Sequence, residues 1–323
     1  MSRGQGMSII EQAARRLDEL KRSGVDVPWA AAGFSEVEAL ALVGGHGEAA
    51  PNEGPAGNTG IPGRPGGPLP TAGRPASRAA ALVRTVEIDL ERLLAEGHLV
   101  PGQRRSAMMD EFRGIKRPLL KGARGGGADA VRRGNLIMLT SALPGEGKTF
   151  CAINLALSMA MEVDVSVLLV DADVVRPAIL PRLGISGRFE GLLDLLSDPS
   201  IPLEQVMLRT NVDKLSLLPP GKQRFDSTEL LASGAMEQLL DMLARDHPDQ
   251  IVIFDAPPLL VTTESKVLAA RVGQVVVIVD HERTSPQDVA KAFSVLSGLP
   301  VVSSILNKSR TESETDRYGY YEA

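Results

Sequence analysis

The sequence is poor in cysteine and has no long uninterrupted apolar run. Cys151 is the only cysteine, so no disulfide can form within the chain, which predicts a reducing compartment. The first 20 residues hold no apolar core of signal-peptide length. The most apolar stretch, from Asn154 to Val170, is interrupted by Glu162 and Asp164 and is not expected to span a membrane. The net charge of −5 gives no general attraction to nucleic acid or to an anionic membrane. These features predict a cytoplasmic protein with no membrane span of its own and no nucleic-acid partner.

Aromatic residues make up only 3% of the sequence, and the tyrosines are concentrated at one end. Tyr318, Tyr320 and Tyr321 are the only tyrosines, and they lie within the last six residues. A globular domain normally uses tyrosine in its core and at its sites, so this placement marks residues 309–323 as a segment with its own purpose. The serine, threonine and acidic residues there predict a flexible tail that does not pack into the core.

Composition divides the chain ahead of the tail into four regions. Residues 1–43 have a capping-box spacing at Ser8 and Glu11 and then a narrow apolar stripe, which predicts a short amphipathic helix, either on the surface or as a docking helix. Glycine and proline supply 17 of the 33 residues in 44–76, which predicts a disordered linker. Residues 77–133 are predicted to be a basic helical lead-in, with helices over VEIDLERLLAEG and SAMMDEFRGIKRPLL. Residues 134–308 are the last and most regular region.

In residues 134–308 short apolar runs alternate with helical patterns such as ELLASGAMEQLLDMLARD and SPQDVAKAFSVLSG. Near-continuous apolar strands separated by helices are typical of a parallel sheet covered by helices on both faces. We therefore predict one α/β domain with a mostly parallel sheet. The predicted strands are NLIMLT, VSVLLVD, KLSLLP, QIVIFD, QVVVIVD and VVSSILN.

The first predicted strand leads into SALPGEGKT and then into a helix, which is the context of a phosphate-binding loop. Gly145 and Gly147 let backbone N–H groups surround phosphate oxygens. Lys148 supplies a positive charge for the β- and γ-phosphates, and the Thr149 hydroxyl can bind Mg²⁺. Ala142 replaces the glycine that usually begins the pattern. The predicted nucleotide-binding residues are Pro144, Gly145, Glu146, Gly147, Lys148, Thr149 and Phe150.

Aspartates follow two other predicted strands. Asp171 and Asp173 end VLLVDAD, and Asp255 ends IVIFD. Because ligands of open parallel sheets bind beyond the carboxyl ends of the strands, these carboxylates should gather around the phosphate-binding loop. A single aspartate at a strand end more often caps a turn or a helix, but carboxylates at this place also hold Mg²⁺ directly or through water. Three of them beside a phosphate-binding loop predict a site for ATP and Mg²⁺.

Four segments resemble motifs of the bacterial tyrosine kinases. SALPGEGKT, VLLVDADVVRP and IVIFDAPPLL resemble the Walker A, Walker A′ and Walker B motifs of that family, and YGYYEA resembles its tyrosine cluster. The resemblance extends from about Met109 to the end of the sequence. EFRGIKRPLL and TELLAS are most similar to the exosortase-associated branch, in which a separate kinase polypeptide is activated by a membrane co-polymerase of exopolysaccharide clusters. The resemblance implies a P-loop fold and an ATP-dependent autokinase that phosphorylates Tyr318, Tyr320 and Tyr321.

The resemblance also implies roles for individual residues. Lys148 and Thr149 would bind phosphate and Mg²⁺, and Asp255 would hold the metal through water. Asp171 and Asp173 would divide metal binding from the positioning or deprotonation of the attacking tyrosine, in an order that the sequence leaves open. The implied catalytic residues are Lys148, Asp171, Asp173 and Asp255, and the implied metal-binding residues are Thr149, Asp171 and Asp255.

The family's oligomerisation motif has a glutamate and two arginines spaced by two residues. Asp110, Arg113 and Lys116 have that spacing with two substitutions, and Glu111 and Arg117 lie one residue away. The predicted helix that carries them is therefore a candidate element for forming a homo-oligomer.

Two other functions are compatible with a phosphate-binding loop. A partition or Min-type ATPase switch carries a signature lysine early in the loop, where this sequence has Leu143, and it lacks a tyrosine-rich tail. A nucleotide-binding scaffold for polysaccharide export would bind nucleotide without transferring phosphate. The leucine and the tail favour the kinase over the ATPase switch.

The position of the last predicted strand bears on the role of the tail. VVSSILNK should end at the edge that carries the phosphate-binding loop if the strand is parallel to the others. Residues 309–323 would then leave on the nucleotide side of the sheet, which makes the tail a candidate substrate.

Overall fold

A computed structural model describes residues 84–125, 130–247 and 249–309 of the chain. The predicted amphipathic helix near Ser8, the predicted linker over residues 44–76 and the three tail tyrosines lie outside the described residues. Within the described ranges no helix combines the length and the apolar character needed to cross a bilayer.

The described residues form one eight-stranded sheet, whose strands are β1 (Arg84–Val86), β2 (Leu136–Ser141), β3 (Ser166–Asp171), β4 (Leu208–Thr210), β5 (Leu215–Leu218), β6 (Gln250–Asp255), β7 (Gln274–Asp280) and β8 (Val302–Asn307). The strand order is β1-β4-β5-β3-β6-β2-β7-β8. All neighbouring strands are parallel except β4 and β5, which are antiparallel. The prediction of a mostly parallel sheet is confirmed.

The helices of the described residues are α1 (Leu90–Ala95), α2 (Ala107–Arg124), α3 (Lys148–Ala160), α4 (Ile179–Arg182), α5 (Leu192–Ser197), α6 (Leu203–Val206), α7 (Ser227–Ala232), α8 (Gly234–Asp246), α9 (Glu264–Ala269) and α10 (Pro286–Val295). Serine side chains cap three of the longer ones. Ser106, Ser233 and Ser285 accept hydrogen bonds from backbone N–H groups in the first turns of α2, α8 and α10.

Apolar side chains from helices fill the space on both faces of the sheet. One core holds residues of α2 and α3, such as Phe112 and Leu155, against β2, β3 and β6. The second core holds residues of α5, α8 and α10, such as Leu193, Leu240 and Ala292, against the other face. This arrangement confirms the predicted covering of both faces, and it explains the near-continuous apolar runs of β2, β3, β6 and β7, since each of these strands is buried on two sides.

The lead-in segment differs from its predicted structure. The pattern VEIDLERLLAEG predicts one helix, whereas Val86 ends β1 and α1 begins only at Leu90. Asp89 determines that start, because its carboxylate accepts a hydrogen bond from the Arg92 N–H at 2.9 Å. Similarly, Ser233 divides ELLASGAMEQLLDMLARD into α7 and α8. Periodicity alone does not reveal such breaks, because the apolar spacing continues across them.

Lys116 connects α2 to the end of α3, the helix that follows the phosphate-binding loop. Its ammonium group donates a 2.7 Å hydrogen bond to the Ser158 carbonyl and lies 2.7 Å from the Glu162 carboxylate. The Lys116 side chain is only 8% exposed. Lys116 is therefore a buried contact within the chain and cannot belong to an exposed face of the candidate oligomerisation helix.

The other residues of that candidate element lie nearer the surface. The Asp110 carboxylate pairs with Arg105 at 2.9 Å and with Arg113 at 2.8 Å in the same chain. Glu111 and Arg117 are exposed. The surface of α2 that is open to a neighbour thus carries Glu111, Arg113 and Arg117, and of the residues with the predicted spacing only Arg113 is exposed.

Replacing Lys116 with methionine is expected to lower the free energy of unfolding by about 1–3 kcal/mol, because the Ser158 carbonyl and the Glu162 carboxylate lose their partner. Urea denaturation measures this change. The matched control is Arg117→Met on the exposed face, for which we expect a change within about 0.5 kcal/mol. Equal stability of the two variants would contradict the assignment of Lys116 as a structural tie.

Candidate nucleotide and phosphoryl-transfer site

The loop between β2 and α3 has the backbone geometry of a phosphate-binding loop. Gly145 and Gly147 have positive φ angles of 86° and 94°, which residues with a side chain rarely adopt. A Cβ atom at Gly147 would lie 2.1 Å from Nδ2 of Asn307, so the position is also closed sterically. Among the described residues the non-glycine positions with positive φ do not include Ala142. The loop therefore tolerates alanine where the usual pattern begins with glycine.

The predicted nucleotide-binding residues occupy different environments within the loop. Pro144 and Gly145 are exposed at its tip, whereas Lys148 and Thr149 begin α3. The N-terminus of this helix directs free backbone N–H groups and its positive dipole end toward the loop, which favours an anion. Phe150 faces away from the tip, since its ring packs against the ring of His98 with the centroids 4.6 Å apart.

Glu146 shapes the loop through contacts within the protein. Its buried carboxylate accepts a hydrogen bond from the Leu143 N–H at 2.8 Å and a second one from the Thr284 hydroxyl. Its backbone carbonyl accepts a hydrogen bond from the Asn307 side-chain amide at 2.9 Å. The Glu146 side chain is thus engaged within the protein, and only the backbone of Glu146 is available to bind a nucleotide.

Residues at the ends of β7 and β8 hold the loop from one side. The Lys308 ammonium group donates to the Gly145 carbonyl at 2.9 Å and pairs with the Asp280 carboxylate at 2.6 Å. Asn307, Lys308, Asp280 and Thr284 were not among the residues predicted from the sequence. The sequence feature that could have predicted them is the one that predicted the aspartates, since each of these residues ends or follows an apolar strand whose carboxyl end lies at this edge of the sheet.

The three predicted aspartates meet at the carboxyl ends of β3 and β6. Asp171 and Asp255 are direct neighbours in the register of these two strands. The Lys148 ammonium group lies 2.9 Å from Oδ2 of Asp173 and 3.6 Å from Oδ1 of Asp255. All three carboxylates are almost fully buried. The structure therefore places Lys148 among the carboxylates that the sequence predicted for this site.

Burial and repulsion between carboxylates raise the affinity of Asp171 and Asp255 for protons. Burial and, to a smaller extent, the charge of Asp255 raise the pKa of Asp171 to about 7, and the hydrogen bonds from the Ile179 and Ala178 N–H groups oppose this shift. Burial also raises the pKa of Asp255, and the charge of Lys148 opposes that shift. For Lys148 itself, burial lowers the pKa, but the carboxylates of Asp255 and Asp173 outweigh burial and raise it. Lys148 thus remains a cation at neutral pH.

The carboxylate cluster has free oxygens that a cation can satisfy. Oδ1 of Asp171 and both side-chain oxygens of Asp255 are buried and accept no hydrogen bond from the described residues. Buried charged oxygens that accept no hydrogen bond are costly, so these atoms, one of which lies 3.6 Å from the Lys148 ammonium group, fit a hard cation such as Mg²⁺. No group of three or more His, Cys, Asp or Glu side chains in the described ranges forms a complete metal site. Mg²⁺ commonly uses one or two protein carboxylates together with water and substrate phosphates.

The chain is similar to several tyrosine kinases of bacteria. It is 35% identical to EpsB of Ralstonia nicotianae over 187 residues, which cover 58% of the chain and 24% of EpsB. It is 30% identical to tyrosine-protein kinase YwqD of Bacillus subtilis over 196 residues, which cover 60% of the chain and 80% of YwqD. The crystal structure of the VpsO kinase domain matches with a TM-score of 0.51 and 29% identity, over 63% of the chain and 100% of that domain.

The extent of these matches differs between relatives. The chain spans about a quarter of the length of EpsB but four fifths of YwqD. No protein-family model matches the chain. The matches to kinase domains imply that the described domain binds a nucleotide.

Proposed function

The chain belongs to the family of bacterial tyrosine-protein kinases, and from this premise we propose that it is an ATP- and Mg²⁺-dependent autokinase for its own C-terminal tyrosines. The observation that carries the proposal is the cluster of Lys148 and three aspartates at the sheet edge where the chain enters its tail. Such a cluster supplies a phosphate contact, a cation site and a proton acceptor for phosphoryl transfer.

ATP would bind with its phosphates on the loop between β2 and α3. The backbone N–H groups of the loop and the Lys148 ammonium group would hold the β- and γ-phosphates. Thr149, Asp171 and Asp255 would hold Mg²⁺, directly or through water, beside those phosphates. When bound, Mg²⁺ neutralises part of the negative charge that the transferred phosphoryl group carries. The free oxygens of Asp171 and Asp255 support this assignment.

The attacking tyrosine needs a group that accepts or orients its hydroxyl proton, because the phenol is protonated near neutral pH. The carboxylates at the end of β3, Asp171 and Asp173, are the candidates. Asp173 is fixed by Lys148 and by the Arg176 N–H, which donates to its other oxygen at 3.0 Å.

The tail is the proposed substrate because of where the chain leaves the sheet. β8 is parallel to β7, as expected, and Asn307 and Lys308 at its end contact the phosphate-binding loop. Tyr318 lies ten residues beyond Lys308, a distance of about 35 Å in an extended chain. A tail that begins beside its own loop must turn back sharply to enter its own site. An extended tail reaches the site of a neighbouring copy, so we place the transfer between subunits.

The proposed setting is the production of exopolysaccharide. EpsB and the other matched proteins cover this chain only in part, so the partner rests on the resemblance of EFRGIKRPLL and TELLAS to the exosortase-associated branch. In that setting the kinase works as a homo-oligomer in the cytoplasm, and a membrane co-polymerase recruits and activates it. Addition of the partner's cytoplasmic segment to the purified kinase should then increase its rate.

Mixing two variants of the full chain tests transfer between copies. One carries Lys148→Met with an intact, affinity-tagged tail, and the other keeps Lys148 but carries Phe at all three tail tyrosines. We expect phosphate from labelled ATP to appear on the tagged chain, at a rate that rises with the concentration of the untagged chain. Mass spectrometry of the tagged chain identifies the modified tyrosines.

Each variant incubated alone with labelled ATP is the control and should stay unmodified. If no phosphate appears on the tagged chain in the mixture, although light scattering shows that the two chains associate, transfer between copies is ruled out. If the wild-type chain also remains unmodified, with and without a partner segment, the kinase proposal itself fails in favour of a nucleotide-binding scaffold.

A further inference from the structure

A basic cavity lies at the edge of the sheet opposite the phosphate-binding loop. It has a volume of about 360 Å³ and lies between the segment before β2, the end of α2 and the second half of α8. The phosphate-binding loop follows the carboxyl end of β2, so the segment before β2 lies at the amino ends of the strands. The cavity walls include Arg132, Arg133, Arg245 and one acidic residue, Asp241. We call this site the arginine cavity.

Arg133 is the fixed part of the arginine cavity. Its side chain is only 4% exposed, and its Nη2 atom lies 2.6 Å from the Asp241 carboxylate and 2.5 Å from the Glu237 carboxylate. Its Nη1 atom donates a hydrogen bond to the Arg271 carbonyl at 2.6 Å. The guanidinium group of Arg133 is thus fully engaged within the protein, and it contributes charge to the cavity without being free to move.

A tight turn before β2 positions Arg132 at the cavity. Arg133 has a φ of 55°, a left-handed conformation that is uncommon for residues other than glycine. The Gly134 N–H donates to the Val131 carbonyl at 2.9 Å, which closes the turn. The Gln274 side chain donates to the Gly134 carbonyl at 2.6 Å and joins the turn to β7. The backbone that carries Arg132 is therefore held in place, although the Arg132 side chain is exposed.

Arg132 and Arg245 are open to an anion. Both are exposed, and neither has a carboxylate within ion-pair distance in the part of the chain that the structure describes. Arg245 donates from Nε to the Asp241 carbonyl at 3.2 Å, within its own helix. The hydrogen bond from Arg133 lowers the pKa of the Asp241 carboxyl, partial burial opposes this shift, and the charges of Arg133, Arg245 and Arg132 lower the pKa further. Asp241 is therefore an anion to which both open arginines are close.

The charges of the arginine cavity do not balance. Three arginines and one aspartate leave an excess of two positive charges in its walls. Glu237 and Arg271 lie 3.2 Å apart and both contact Arg133, so this further pair leaves the excess unchanged. A phosphate monoester carries about −1.5 to −2 charges at pH 7, which matches that excess. A guanidinium group also fits phosphate geometry, because it can donate two parallel hydrogen bonds to two oxygens.

The remaining walls suit a small carbon skeleton. Ala123, Val131 and Ala244 contribute apolar side chains to the cavity. Ligand pockets commonly have volumes of about 300–1,000 Å³. The volume of about 360 Å³ lies at the lower end of that range and fits a small organic molecule.

We infer that the arginine cavity binds a small organic phosphate, with Arg132 and Arg245 on the phosphate group and the apolar walls against its carbon part. The site lies at the opposite edge of the sheet from Lys148 and the three aspartates. The inference therefore goes beyond the proposed function and does not depend on it. A ligand in the cavity would join the end of α2 to α8 across the segment that enters β2.

Binding of butyl phosphate, measured by isothermal titration calorimetry, tests the site. All proteins are full chains that carry Lys148→Met, which removes a cation of the phosphate-binding loop and prevents the chain from modifying its own tail. We expect Arg132→Gln and Arg245→Gln each to weaken binding about tenfold or more, because charge-assisted hydrogen bonds to the phosphate are lost. The matched control is Arg209→Gln, an exposed arginine on β4, which should leave the Kd unchanged. Urea denaturation checks that each variant is folded.

Two further ligands test the chemical class. Butyl sulfate has the same shape with a single negative charge, and inorganic phosphate lacks the carbon chain, so both should bind more weakly than butyl phosphate. No binding of butyl phosphate when both arginines are present, or an unchanged Kd in either arginine variant, would overturn the inference. Equal affinity for butyl sulfate or for inorganic phosphate would overturn the assignment of an organic phosphate. Either failure would leave the transfer of phosphate from ATP, and hence the proposed function, unaffected.

Discussion

Replacing Lys148 with methionine is expected to reduce ATP-dependent tyrosine phosphorylation on the order of a thousandfold. Lys148 is the first residue of α3 and faces Asp173 and Asp255. Its charge would stabilise the phosphoryl group during transfer, and methionine retains the apolar stem without that charge. Transfer of label from ATP to the tail tyrosines measures the loss.

The same Lys148→Met chain should remain folded. Without the ammonium group the buried carboxylate of Asp255 loses the charge that opposes its raised pKa, so Asp255 takes up a proton more readily. Circular dichroism and urea denaturation check that the fold persists. The control is Lys291→Met, because Lys291 is a largely exposed lysine at 3.7 Å from Asp288. Wild-type transfer in Lys148→Met would refute the assignment of the site.

Replacing Asp255 with asparagine is expected to reduce Mg²⁺-dependent turnover by at least about a hundredfold, because Mg²⁺ neutralises charge on the transferred group. Both side-chain oxygens of Asp255 are buried and free of hydrogen bonds from the described residues. Asparagine retains the shape and one carbonyl oxygen, but it has no charge to attract the cation. Asp171→Asn should have a similar effect, since Asp171 is its neighbour in the sheet register and also has a free oxygen.

A binding measurement separates the metal site from the chemistry. We expect Mg²⁺ to strengthen the binding of a fluorescent ATP analogue to the wild type but not to Asp255→Asn. Asp198→Asn is the control, because Asp198 lies in an exposed turn where its carboxylate binds only Ser200. An unchanged Mg²⁺ requirement and rate in both Asp255→Asn and Asp171→Asn would exclude these residues as metal ligands.

The strand-end residues illustrate how far sequence reasoning extends in this chain. The apolar runs correctly predict six strands of the sheet. Four of them, β2, β3, β6 and β7, are buried on two faces and therefore need apolar residues at nearly every position. They miss β1 and β4, which are three residues long and too short for a pattern to emerge. They also miss Asn307 and Lys308, whose importance depends on the phosphate-binding loop 161 and 163 residues earlier.

The sequence by itself determined the chemistry of the phosphate-binding loop and the gathering of Asp171, Asp173 and Asp255. Both follow from local patterns, together with the general rule that parallel strands bring their carboxyl ends to one edge. Only the tertiary structure decided which oxygens stay free, that Lys116 is buried and that Arg132 and Arg245 line one cavity. These properties depend on strand register and on contacts between segments far apart in the chain, and no local spacing of residues encodes them.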